Sequence, residues 1–303
     1  MSSAVNHNVI KNAGVKSVPR HGKKENSMDY VIRRMLRNKA AMVGAVLILI
    51  MVFGALTATW ITGYSYDAID VLNAYASPSW KHWFGTDELG RDILTRLMYG
   101  GRYTLSIGVL SVAISAGFGV VIGSVAGYYG GKIDNIVMRF LDIIQAFPQI
   151  LLAIALSAAF GTGFDKCILA LGLSGIPNFA RLMRANILTI RDTEYVEAAT
   201  SINCSSARII ARHVLPNAIS PLIVQTSMAI ANAGLAAATL SFIGLGVQPP
   251  TPEWGAMLSA GRDYIRYYPH LVLFPGLAIM LTTLSFNLIG DALRDALDPK
   301  MKN

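Results

Sequence analysis

The sequence predicts an all-α integral membrane protein with six transmembrane helices and a cytoplasmic helix–turn–helix between helices four and five. Three observations carry this: a shortage of charge, six windows with no charged residue, and a lopsided placement of Lys and Arg. Of 303 residues, 53% are apolar and 15% are charged, against about 25% charged in soluble domains. The uncharged windows are 40–66, 103–131, 143–164, 167–180, 214–252 and 267–290. A spanning helix needs about 20 apolar residues, and five windows meet that length. The fourth has 14 residues before Arg181, a length that also suits a re-entrant piece. The cations decide. With six spans and the amino terminus inside, 19 of the 26 Lys and Arg lie on the cytoplasmic side and 7 outside; with five spans the split is 13 to 13. Positive charge favours the inner face, so six spans with both termini cytoplasmic are expected.

The chain divides accordingly. Residues 1–28 are polar and aperiodic and read as a disordered cytoplasmic tail. A basic juxtamembrane helix is expected at 29–39, with Arg33, Arg34, Arg37 and Lys39. The transmembrane region covers 40–290, with a cytoplasmic loop at 190–216, and a cytoplasmic tail is expected at 291–303. In the second span Ser111, Ser115, Gly119, Gly123 and Gly127 recur every four residues. That spacing puts small side chains in one stripe, where another backbone can approach. Ala229, Ala233, Ala237 and Ser241 repeat the pattern in the fifth. Pro148 and Pro177 are expected to kink spans three and four. Residues 85–92 read as a capped helix at the outer interface with Thr86 as its cap, and Trp254 reads as an interfacial anchor. Gln145, Gln149, Gln225, Asn232 and Asn287 are the polar candidates for a pore lining.

Several functions are disfavoured. The net charge is +8, but the cations flank apolar runs and do not interleave with aromatics, so nucleic acid binding is not expected. Cys167 and Cys204 fall on opposite sides of the membrane in this topology, which gives no disulfide framework. No cleavable signal peptide is expected, because the first apolar run is too long for a signal h-region of about 7–15 residues. The windows hold no charge of the kind that ion-coupled carriers keep inside the bilayer, although some sodium sites use neutral oxygens alone. Gly131-Lys132 lacks the leading Gly and trailing Ser/Thr of a P-loop. His7, His21, His82, His213 and His270 never pair at metal spacing, and no Gly-x-Ser-x-Gly elbow is present. No catalytic residue, metal or cofactor is assigned to the chain.

Residues 192–216, DTEYVEAATSINCSSARIIARHVLP, differ in kind from the rest. Asp192 or Thr193 can cap a helix running to about Ile202. Asn203 suits a left-handed turn. Ser205 or Ser206 can cap a second helix running to His213 and stopping before Pro216. Arg208, Arg212 and His213 lie where positive charge favours the helix dipole. Small Ala198 and Ala199 would let a partner approach closely.

Glu197-Ala198-Ala199, a turn residue at Asn203, and Ile209, His213, Leu215 and Pro216 beyond it resemble the EAA loop of ATP-binding-cassette importer permeases. The turn residue of that family is usually Gly. FGTDELGRDIL at 84–94, Arg37-Asn38-Lys39, LSFIGLG at 240–246, PPTPEWGAM at 249–257 and GDALRDALDP at 290–299 are similar to the dipeptide, oligopeptide and nickel group, and the Gly-Thr-Asp loop and Asp-Pro ending to its C-type permease. The resemblance implies a non-catalytic subunit in the prokaryotic plasma membrane, carrying dipeptides or short oligopeptides. It implies a B-type permease partner, two ATPase subunits that bind ATP and Mg, an external substrate-binding protein and surrounding lipid. Glu197, Ala198, Ala199, Asn203, Ile209, His213, Leu215 and Pro216 would form the coupling loop on the ATPases. Nickel chelates and glutathione are alternative substrates, and an autonomous secondary transporter is the alternative class.

Overall fold

Asn38 opens the first long helix. Its side chain accepts from the backbone N–H groups of Ala40 and Ala41, satisfying donors that a helix start leaves unpaired. This separates α1 (Ser27–Arg37) from α2 (Lys39–Ile61). The computed structural model describes residues 27–297. The expected amino-terminal tail up to residue 26 and residues 298–303 lie outside the described residues.

The other helices are α3 (Ile93–Tyr129), α4 (Gly131–Gln145), α5 (Gln149–Phe160), α6 (Phe164–Ile190), α7 (Glu194–Ser201), α8 (Ser206–Ile209), α9 (Leu215–Ala218), α10 (Ser220–Phe242), α11 (Trp254–Gly261) and α12 (His270–Leu297). No strand occurs among the described residues. Four helices are long and apolar enough to cross a membrane: α2, α3, α10 and α12. The pair α4 and α5 passes as a fifth span only when taken together, and it is bent by 83°.

The third window is therefore not one straight span. Phe147-Pro148 interrupts it, and α5 alone has 12 residues, about 18 Å at 1.5 Å per residue. The Pro148 ring locks φ and removes a donor, so the kink expected there becomes a full break. Pro177 does the opposite. It lies buried inside α6, which runs unbroken for 27 residues. The fourth window thus extends well beyond its uncharged core, to Ile190. Likewise α12 runs on to Leu297, past the end of the sixth window.

In a bilayer the lipid is as apolar as a helix surface, so helices associate through close packing and not through water exclusion. The α3–α6 contact is the most extensive among the described residues. A Cβ on Gly119 would lie 2.4 Å from Phe179 Cβ, one on Gly123 would lie 2.3 Å from the Ala180 carbonyl oxygen, and one on Gly127 would lie 3.0 Å from Ile187 Cβ. Higher on the same stripe the Ser115 hydroxyl donates to the Gly172 carbonyl at 2.7 Å. Around this seam α10 packs on α3 and α12, and α2 packs on α12 and α3.

Candidate functional site: a polar cleft and a folded elbow

Three regions carry polar side chains in defined geometry. The first is a knot at the start of α3. The helix expected at 85–92 is absent; this stretch is a tight loop. Gly85 and Gly90 have φ of 81° and 73°, which helices do not use. A Cβ on Gly90 would fall 1.8 Å from the Asp70 carbonyl oxygen. Thr86 caps no helix. Its hydroxyl donates to the Asn73 carbonyl and accepts from Ala76 N–H. Asp92 is the cap, accepting from Thr95 N–H at 2.8 Å, and it also lies 3.0 Å from His82 Nδ1. Asp87 takes Arg91 Nε at 2.7 Å and Arg96 Nε at 3.3 Å. The α11 start closes over this knot. Buried Glu253 accepts from the Thr104 hydroxyl at 3.0 Å and from Ala256 N–H at 2.9 Å. Trp254 is buried and donates through Nε1 to the Leu97 carbonyl. It is a packing residue, where an interfacial anchor was expected.

The second region is a cleft of about 260 Å³ between α3, α5, α6 and α10. Ser111, Ser115, Gln149, Asn178, Gln225 and Asn232 supply its polar wall. The structure thus brings together three of the five polar candidates. Gln145 lines an adjoining cavity with Gln149 and Asn178. Asn287 does not join them; it lines a separate apolar recess between α10, α11 and α12. Asn178 is a cleft residue absent from the polar candidates read from sequence. It links its neighbours: Gln145 Nε2 donates to Asn178 Oδ1 at 2.6 Å, and Asn178 Nδ2 donates to Gln149 Oε1 at 3.0 Å. Its one sequence signal is a carboxamide inside an uncharged window, next to Pro177. Ser111 and Ser115 serve both the packing stripe and the cleft.

The third region is the elbow at the other end of α3. Arg191 Nη1 donates to the Gly127 carbonyl at 3.1 Å, fixing the end of α6 beside the end of α3. Then α7 ends in a Schellman turn. Cys204 N–H reaches the Ala199 carbonyl, Asn203 N–H reaches the Thr200 carbonyl, and Asn203 has φ 59°. Thr193 occupies the cap position of α7, but its hydroxyl donates back to the Ile190 carbonyl. The second helix does not stop before Pro216. It widens into a π turn over Ile210–Val214, which gives the Pro216 ring room, and continues as α9 with Pro216 as its second residue.

The elbow has two unlike faces. Val196, Ala199, Ile209 and Val214 are buried in one apolar cluster with Phe179, Met183 and Ile187 of α6. Glu197, Ala198, Asn203 and Pro216 are exposed. Ala199 therefore faces the bundle and offers no surface to a partner. Ile202 does, at 76% exposed. His213 and Leu215 are half-buried; the His213 carbonyl accepts from Asn217 Nδ2 at 2.7 Å.

Residues 119–303 match a family profile described as binding-protein-dependent transport system inner membrane component. The chain belongs to this family of ATP-binding-cassette importer permeases. Residues 28–78 of the permease match the N-terminal transmembrane domain of oligopeptide transport permease C. The permease is 45% identical, over 89% of both chains, to a dipeptide transport system permease protein, DppC, of Alkalihalophilus pseudofirmus. It is 46% identical, over 89% of both chains, to a glutathione transport system permease protein, GsiD, of Escherichia coli. Its fold is that of the chain in inward-facing crystal structures of the MetNI methionine ABC transporter, with TM-score 0.53, 20% identity, and coverage of 67% of this chain and 96% of that one.

Proposed function

We propose that this permease forms half of a translocation path for dipeptides or short oligopeptides. It spans the prokaryotic plasma membrane six times, with both termini in the cytoplasm. The spans are α2, α3, the bent α4–α5 pair, α6, α10 and α12. At 27 residues α6 is about 40 Å long, ample for a bilayer core of about 30 Å. Its Arg181 and Arg184 are paired with Asp142 and Asp134 of α4, which lessens the cost of charge near the membrane. A B-type permease would complete the path, an external substrate-binding protein would deliver the peptide, and two ATPase subunits would hydrolyse ATP with Mg. The chain itself performs no bond chemistry.

The observation that carries the reading is the two-faced elbow. Its inner face is cemented to α6, while Glu197, Ala198 and Ile202 stand free. A rigid knuckle fixed to a long helix transmits a push; a flexible loop does not. Asn203, Ile209, His213, Leu215 and Pro216 build the knuckle, and Glu197 and Ala198 would contact the ATPase. Reconstituted with those partners, Ala198→Trp or Glu197→Lys is expected to abolish ATP-driven uptake and leave thermal unfolding of the chain unchanged. Wild-type uptake by both variants would overturn the assignment.

The relatives named for dipeptide and glutathione transport are 45% and 46% identical, so glutathione stands as the second substrate reading. Competition of excess glutathione against labelled dialanine uptake separates the two.

A further inference from the structure

Helices α4 and α6 are joined by a ladder of side-chain pairs. On α6 the rungs are Arg184, Arg181 and Asn178, spaced three apart. Arg184 pairs with Asp134 and Arg181 pairs with Asp142. The third rung changes chemistry: Asn178 joins Gln145 and, across the Pro148 break, Gln149 of α5. The change occurs where the ladder reaches the cavities. Asn178 and Gln149 line both of them, and no Asp, Glu, Lys, Arg or His lines either. The two ionic rungs line neither.

We infer that this carboxamide rung, centred on Asn178, lines the translocation path and makes that stretch of wall indifferent to substrate charge while offering hydrogen bonds to any peptide group. The inference rests on the proposed permease role and adds a specificity-determining position to it. A carboxamide carries donors and an acceptor without net charge, so it matches a peptide N–H or C=O equally. A single carboxylate or ammonium in the same place would set an uncompensated charge beside the substrate. It would hold a substrate of one sign and repel the other. Bracing from Gln145 and Gln149 keeps the Asn178 amide in place on either side of the helix break.

The test uses the complete transporter in proteoliposomes, with its binding protein unchanged, and dialanine, lysyl-alanine and aspartyl-alanine as probes. The readout is the ratio of lysyl-alanine to aspartyl-alanine uptake, normalised to wild type. Asn178→Asp is expected to raise that ratio at least about tenfold, and Gln149→Glu to raise it in the same direction. Asn178→Ser should slow uptake without moving the ratio. The double change Asp142→Asn with Arg181→Gln, which removes the nearest ionic rung, should also leave it unmoved. An unchanged ratio in both carboxylate variants overturns the inference. Equal loss of all three peptides in both variants overturns it too, as does failure of both to assemble, since Asn178 and Gln149 are exposed in this chain and tolerate a solvated charge. ATP-dependent dialanine uptake by the wild type is the separate check on the permease role. Without it that role fails first, and the inference goes with it.

Discussion

At Gly123 the nearest obstacle to a side chain is backbone, not a flexible tip: the Ala180 carbonyl oxygen lies 2.3 Å from where a Cβ would sit. Gly123→Val must therefore push α3 and α6 apart, at a cost of about 1–3 kcal/mol or more. A lowered melting temperature in detergent checks this; Gly117→Ala, whose Cβ meets nothing within 4 Å, serves as the control. Asn203 offers a second test. Because it holds φ 59°, Asn203→Gly should be nearly neutral, while Asn203→Val should cost about 1–2 kcal/mol. Hydrogen exchange of α7 amides would report the difference. The glycine stripe was legible in the sequence because a four-residue repeat of small side chains has few other uses in a span. Asn178 was not legible: a single carboxamide has no period, and its meaning comes from Gln145 and Gln149 on another helix. Nor could the sequence separate Ala198 from Ala199. Which of two adjacent alanines faces outward depends on the phase at which α7 docks on α6.

Among elements, the pairing of α4 with α6 makes the clearest prediction. Asp134 is buried and Arg184 half-buried, so each is left stranded if its partner is lost. Asp134→Asn and Arg184→Gln should each destabilise the chain, and the double change should cost less than their sum by about 0.5–3 kcal/mol. Thermal unfolding of the four proteins in detergent gives this coupling directly. The sequence announced Pro148 as a disturbance but not an 83° bend, because the angle is set by what α5 packs against after the break. It also misled at 85–92. Thr86 with acidic residues after it looks like a helix start, yet Gly85 and Gly90 adopt positive φ and the Asp87 carboxylate holds the turn that results. The helix start is six residues later, at Asp92. At the elbow, a stop before Pro216 was the natural expectation; the π turn makes room for the ring and lets the helix go on.

For the whole molecule, topology is the exposed claim. With Cys167 and Cys204 replaced by Ala, a cysteine at the exposed Ala198 position should react with an impermeant thiol reagent in inside-out vesicles and stay unlabelled in intact cells. Labelling from outside the cell would reverse the proposed orientation. The all-helical membrane plan was legible because long uncharged windows recur along the chain and most become long apolar helices. What stayed hidden was how segments fold back: α11 tucked against α3 through Glu253 and Thr104, and α12 running on to Leu297.

The 37 residues of α3 form one uninterrupted helix, about 55 Å long, nearly twice the thickness of a hydrocarbon core of about 30 Å. It begins in the Asp92 knot and ends beside Arg191, the residue just before the elbow. A stiff shaft anchored at both extremities has no local joint in which to absorb strain. Whatever tilts the Asp92 end must displace the Arg191 end, because the two are joined by a single piece of backbone, without a chain of intermediaries.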